Sequence, residues 1–256
     1  MQRNVLRALA AATVLLAGCG GTSGSASSTA GGLSGSITVF AAASLTAAFG
    51  TIGTDFERTH PGTAVHFAFA GSSTLVAQVQ QGAIGDVFAS ADQPNMQKLI
   101  DAGLTAGAPS IFARNKLQIV VPAGNPKHIT GLADLGRTGL VVVLCAPTVP
   151  CGHYALQALQ KASVTVEPAS QETDVKAVLT KVSLGEADAG VVYVTDVKAA
   201  GARVQGVDIS AALNVIADYP IVVLKDSQNT GLAKAFIGYL HADGQRTLAH
   251  YGFLPA

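Results

Sequence analysis

Net charge is what this chain lacks most plainly, since 16 Lys and Arg balance 16 Asp and Glu within 256 residues. No basic stripe or basic–aromatic patch breaks that balance, which excludes a nucleic-acid partner held by phosphate neutralisation. Signatures of catalysis are missing too. There is no P-loop, dinucleotide fingerprint, G-x-S-x-G elbow or H-E-x-x-H zinc site. The six histidines are scattered, and no Cys/His spacing suggests a structural metal. His66 alternates within a strand and reads as exposed or packed. No pair of carboxylates can be assigned to one pocket. Cys151 and His153 stand two apart at a helix start, where side chains seldom face each other, so a cysteine-dependent hydrolase is the weaker reading. What survives these exclusions is binding without turnover. An anion bound by a chain with no net charge has to be held by local dipoles and not by an overall field.

A membrane-spanning run is absent as well. The apolar stretch from Ala8 to Ala17, broken only by Thr13, is too short to cross a bilayer and follows Arg3 and Arg7. Positive charge, apolar run and small residues arrive in the order of a processing segment. The run ends in Leu16-Ala17-Gly18-Cys19, similar to the lipobox of bacterial lipoproteins, so residues 1–18 are expected to be a signal peptide and Cys19 the lipid-bearing residue. Two or more acyl chains would hold the protein at a membrane surface. Residues 19–35 are nearly all Gly, Ser, Thr and Ala and read as a flexible tether. Removal of Arg3 and Arg7 with the leader would take the formal charge from zero to minus two. The other cysteines, Cys145 and Cys151, lie close enough in sequence to form a disulfide outside the cytosol, although their separation does not require one.

Roughly 220 residues follow the tether, enough for one large domain or two smaller lobes. Strand-like and helix-like segments alternate through them. Ile37–Phe40, Val65–Phe69 and Val87–Ala89 read as strands. Between and after them, Leu45, Ala48, Phe49, Ile52 and Phe56, then Leu75, Val76 and Val79, then Met96, Leu99 and Ile100 recur at helical spacing. Leu117–Val121 is a stronger strand ending at Pro122. Leu140–Leu144, Val164–Val166, Ala189–Val194 and Ile221–Leu224 are further strand candidates, separated by helical faces through Leu156 and Leu159 and through Val175, Val178, Leu179 and Val182. Helices through Leu232, Phe236, Ile237 and Leu240, and through Leu248 and Tyr251, close the chain. This order predicts an α/β fold in which each lobe is a mixed, mainly parallel sheet flanked by helices. The similar element order of the two halves favours two lobes, with crossovers near Pro122 and Pro220. Lobe I is expected at residues 36–120 and 220–256, and lobe II at 121–219.

Two strand-to-helix junctions carry hydroxyls, Ala41-Ala42-Ala43-Ser44-Leu45-Thr46 and Phe69-Ala70-Gly71-Ser72-Ser73-Thr74. Each offers free backbone N–H groups, a helix N-terminal dipole and hydroxyl donors, the components of an anion site. Serine is equally a favoured helix N-cap, so Ser44 and Ser73 each keep that alternative. In the second half, the segments Pro150-Cys151-Gly152-His153-Tyr154 and Glu172-Thr173-Asp174-Val175 open helices. Tyr193 ends a strand with a phenol that can donate to an oxyanion or simply pack.

These segments, together with Gly85-Asp86-Val87-Phe88-Ala89-Ser90-Ala91-Asp92 and Tyr251-Gly252-Phe253, resemble those of periplasmic molybdate-binding proteins, the receptors of molybdate ABC importers. The resemblance implies a two-lobed periplasmic binding protein fold with molybdate or tungstate in the cleft. It also implies a monomeric, extracytoplasmic receptor that hands its ligand to a membrane permease and ATPase and needs no cofactor. Carried over position by position, it assigns the ligand to Ser44, Ser72, Cys151, Val175 and Tyr193, with no direct protein–metal bond. Ser72 in place of Ser73 rests on the resemblance, and Ser73 would then be the cap. Cys151 departs from the family pattern, where a small residue such as alanine is common. Sulfate or phosphate is the alternative ligand. Replacing Ser44 by alanine is expected to weaken binding.

Overall fold

The computed structural model describes residues 33–256, so the leader, Cys19 and most of the tether lie outside the described residues. Two βαβαβ units carry the architecture. In the first, β1 (Gly35–Ala42) leads through a short 3-10 turn at Ala43–Leu45 into α1 (Thr46–Thr59). β2 (Thr63–Ala70), α2 (Ser72–Gln80) and β3 (Val87–Ala89) follow, and β1 pairs parallel with both β2 and β3. After α3 (Gln93–Asp101) and the long β4 (Ser110–Pro122), the same plan recurs. β5 (Val142–Cys145), α4 (Pro150–Lys161), β6 (Ser170–Glu172), α5 (Val175–Ser183) and β7 (Ala189–Tyr193) form the second unit, with β5 parallel to β6 and β7. Then come α6 (Val194–Ala200), β8 (Val204–Asp208), β9 (Ile216–Val223), α7 (Thr230–His241) and α8 (Gly244–Tyr251).

The strand order β2-β1-β3-β9-β4-β7-β5-β6 reads the same from either edge, with β9 and β4 antiparallel at the centre. β4 serves both units. Its first half, Ser110 to Lys116, pairs with β9, and its second half, from Leu117 onward, pairs with β7 and β8. Asn214 marks the handover. Its side-chain oxygen accepts from the Leu117 N–H at 3.0 Å and its side-chain nitrogen donates to the Leu117 carbonyl at 2.9 Å, replacing the ladder bonds that β9 no longer supplies.

Matching aspartates tie each unit. The Asp86 carboxylate, just before β3, accepts from the Thr38 N–H on β1 at 2.8 Å, and Asp188, just before β7, accepts from the Val141 N–H beside β5 at 2.9 Å. Asp86 also receives the Ser227 hydroxyl and the Gln228 and Asn229 N–H groups, pinning the entry to α7. The helical spacing of Phe49 and Phe56 places both rings against Phe236 of α7 at 6.1 and 5.5 Å, edge to face. Each fully buried ring contributes about 1.5–3 kcal/mol of transfer free energy, so this cluster fixes α1 and α7 on one sheet face.

Several sequence expectations shift. Val164–Val166 is not a strand: Ser163 takes a positive φ of 52° after α4, and pairing to β5 begins only at Ser170. Its valines are held by packing against the core and not by a ladder. β4 starts at Ser110, ahead of the apolar run, and both β8 and α6 were unforeseen.

Candidate functional site

The C-terminal ends of the parallel strands in both units face one small cavity. Its lining includes all five residues named from the sequence, Ser44, Ser72, Cys151, Val175 and Tyr193, whereas Ser73 is not among them. The symmetry of the sheet explains the convergence. Ser44, Ser72 and Ala91 follow β1, β2 and β3, while Cys151, Val175 and Tyr193 follow or end β5, β6 and β7.

Neither cavity serine caps a helix by its side chain. The N-cap of α2 is Gly71, which corrects the assignment of that role to Ser73, because the helix starts at Ser72 and leaves both serines inside its first turn. Gly71 has a steric reason to lack a side chain, since a Cβ there would lie 2.2 Å from the Thr173 carbonyl oxygen of the opposite unit. The Ser72 Oγ instead accepts from the Ala91 N–H at 3.0 Å. Ser44 Oγ lies 2.9 Å from the Tyr219 hydroxyl of β9. Both serines are buried.

On the other side, α4 opens without a side-chain cap, with Pro150 in its first turn and Val149 at the N-cap. Its early N–H groups precede the first intrahelical bond, and proline has none to offer, so Cys151 brings the first N–H of the helix to the cavity wall. A disulfide joins Cys151 to Cys145 at the end of β5 and closes the intervening loop. It also leaves Cys151 without a free thiol, which removes the nucleophile from the cysteine-hydrolase reading. His153 bonds Gln157 at 2.8 Å. On α5 the Asp174 carboxylate caps the Lys176 and Ala177 N–H groups at 2.8 and 3.0 Å, leaving the Val175 N–H without a cap.

Tyr193 is 1% exposed, and among the described residues its hydroxyl is the one buried side-chain polar atom with no hydrogen-bond partner. Such an orphan costs about 1–3 kcal/mol unless something satisfies it. Burial lifts its phenol well above the ordinary 10.0, with Tyr219, Tyr154, Asp92 and Asp196 adding in the same direction, so it stays a proton donor. Its backbone N–H donates to the buried Asp196 carboxylate at 3.2 Å, which Lys176 pairs at 2.7 Å. Burial raises Asp196, and Lys176 opposes that shift. No Lys or Arg lines the cavity. The wall is therefore a shell of neutral donors backed by helix N-termini, suited to a small anion with several acceptor oxygens.

Sequence reading missed Tyr219 and Asn115, which stand behind Ser44. Asn115 lies in the polar first half of β4 and Tyr219 within β9, and no local motif marks either.

A cavity lined by hydroxyl and main-chain donors at the ends of parallel strands is built to hold a small solute. Residues 37–254 match the bacterial extracellular solute-binding protein family, to which this chain belongs, a family of non-catalytic binding proteins. Molybdate-binding protein ModA of Mycobacterium tuberculosis H37Rv is 47% identical over 241 residues, covering 93% of this chain and 92% of that relative. Among solved structures, the periplasmic molybdate-binding protein of Azotobacter vinelandii superposes with a TM-score of 0.75 at 20% identity, covering 86% of this chain and 99% of that one. The sulfate-binding protein SubI of Mycobacterium tuberculosis H37Rv superposes at 0.79 with 22% identity, covering 86% and 87%. The fold is thus common to receptors of different oxyanions.

Proposed function

We propose that this protein captures molybdate, and tungstate with it, outside the cytoplasm and delivers it to an ABC importer. The observation that carries this reading is the unpartnered Tyr193 hydroxyl, buried in a cation-free cavity with Ser44, Ser72, Cys151 and Val175. Hydroxyls of Ser44, Ser72 and Tyr193 and main-chain N–H groups of Ser44, Ser72, Cys151 and Val175 donate to the four oxygens of the dianion. The relative at 47% identity is named for molybdate, which favours that ion over sulfate. A cavity set to the longer metal–oxygen distance leaves the smaller sulfate loosely held.

The palindromic strand order supports two lobes joined through β4 and β9, with one group of donors in each. Bound ligand bridges them and favours the closed arrangement. Cys19 is the acylated anchor that keeps the receptor at the cell membrane, beside its permease and ATPase. The protein acts as a monomer and requires no cofactor.

Calorimetry against molybdate, tungstate, sulfate and phosphate tests the ligand. Tight binding of the first two is expected, and preference for sulfate or phosphate overturns the assignment. The Ser44→Ala variant should bind molybdate roughly 10- to 150-fold more weakly, the cost of one hydrogen bond to a buried charge. Unchanged affinity removes Ser44 from the site.

A further inference from the structure

The geometry points to Asn115 and Tyr219 as specificity-determining positioning residues that force the Ser44 hydroxyl to donate into the cavity, so that the site rejects oxyanions carrying a proton. This rests on the reading of the cavity as an oxyanion site.

The direction of the chain is set at its far end. The Lys116 N–H donates to the Asn115 side-chain oxygen at 3.0 Å, which fixes which end of that amide is nitrogen. The nitrogen then uses its two protons on the Thr195 hydroxyl at 2.8 Å and the Tyr219 hydroxyl at 3.4 Å. A phenol that receives a proton at its oxygen gives its own to the next acceptor, and that acceptor is Ser44 Oγ at 2.9 Å. The Ser44 proton is left with one direction, away from Tyr219. Neither Asn115 nor Tyr219 has any exposed surface, so water does not compete for these bonds. The Tyr219 ring is further held edge-on by Tyr193 at 5.9 Å and Phe253 at 5.4 Å, which fixes the position of its hydroxyl oxygen.

The other serine is set in the same sense by a different device. The Ala91 N–H occupies an acceptor site on Ser72 Oγ, so its proton too is free for the cavity. With the Tyr193 hydroxyl, every side-chain hydroxyl of the site presents hydrogen. A fully ionised oxyanion matches all of them. One that bears a proton, such as hydrogen phosphate or hydrogen arsenate, brings a donor to hydroxyls whose own protons point at it, with only their remaining lone pairs to receive it, and such a mismatch in a buried site is costly. Reversal of the Asn115 chain would turn Ser44 into an acceptor and remove part of that penalty.

The test is Tyr219→Phe, with Asn115→Asp as a second variant of nearly the same shape whose carboxylate accepts from Tyr219 and reverses the chain. Molybdate and arsenate affinities are measured by calorimetry at neutral pH, with ligand-free melting recorded for each variant. In either variant that folds, molybdate binding should weaken about 5-fold and the preference for molybdate over arsenate should fall about 10-fold, through loss of an oriented donor network. In a Ser44→Ala background, Tyr219→Phe should add nothing. An unchanged molybdate-to-arsenate ratio, or an equal loss with and without Ser44, overturns the inference. Wild-type protein that fails to bind molybdate overturns the functional reading itself, a separate outcome.

Discussion

Replacing Tyr193 by phenylalanine separates a ligand-binding role from a structural one, because the two predict effects on different quantities. The hydroxyl has no partner within the protein, so its loss breaks no internal hydrogen bond. Ligand-free melting should therefore not fall, and relief of an orphaned hydroxyl costing about 1–3 kcal/mol should raise it by about 2–12 °C in a domain of this size. Binding should respond differently. A hydrogen bond to a charged group is worth about 1.5–3 kcal/mol, and the upper half of that range applies where water is excluded. Tyr193 is 1% exposed and no Lys or Arg lines the cavity to compensate. The loss expected for molybdate is thus about 50- to 150-fold. Calorimetric titration beside differential scanning calorimetry of the ligand-free variant measures both. Unimpaired affinity would show that the phenol does not touch the anion, and a large fall in melting temperature would show that it holds the fold.

Three further outcomes follow from the same geometry. Gly71→Ala places a methyl 2.2 Å from the Thr173 carbonyl oxygen, a backbone atom that cannot swing aside. Molybdate affinity should drop by about 5- to 150-fold, the cost of overpacking at the contact between the two units, and titration showing wild-type binding would mean that the units do not meet this way in the complex. Because burial holds the Tyr193 phenol above 10.0, the proton needed for donation is retained through neutral and mildly alkaline solution. Affinity measured from pH 7 to 10 should stay level and decline only beyond, so a fall centred below pH 9 would contradict the donor assignment. Changing both Cys145 and Cys151 to serine opens the short loop that their disulfide closes. Loop-closure entropy puts the loss at about 2 kcal/mol, or roughly 4–8 °C in melting temperature, and an unchanged transition would mean that packing of α4 on β5 alone secures the loop.

The reach of each physical signal decides what could be read locally. Helical spacing of Leu45, Ala48, Phe49, Ile52 and Phe56 is a property of one segment, and α1 buries Ala48, Phe49, Ile52 and Phe56 just beyond the turn that holds Leu45. Val87–Ala89 coincides with β3 because a short apolar run between turn residues is visible without its partners. The first half of β4 was invisible for the opposite reason. Ser110 to Lys116 contains Arg114, Asn115 and Lys116, and only pairing with β9 makes it a strand. α6 escaped notice because it follows β7 without a break, and its start depends on the Asp196 carboxylate folding back to the Tyr193 N–H.

From sequence alone came the alternation of strands and helices, the hydroxyl-bearing junctions, and the scarcity of charge that any anion site here must accommodate. Tertiary structure alone decided that residues as far apart as Ser44 and Tyr193 line one cavity, that Ser72 faces it while Ser73 does not, and that Tyr219, 175 residues from Ser44, sets the direction of its proton. Periodicity and turn chemistry act over a few residues and leave their trace in the chain. The orientation of a hydroxyl depends on which neighbours the folded sheet brings within 3 Å, and those neighbours come from strands that sequence order keeps far apart.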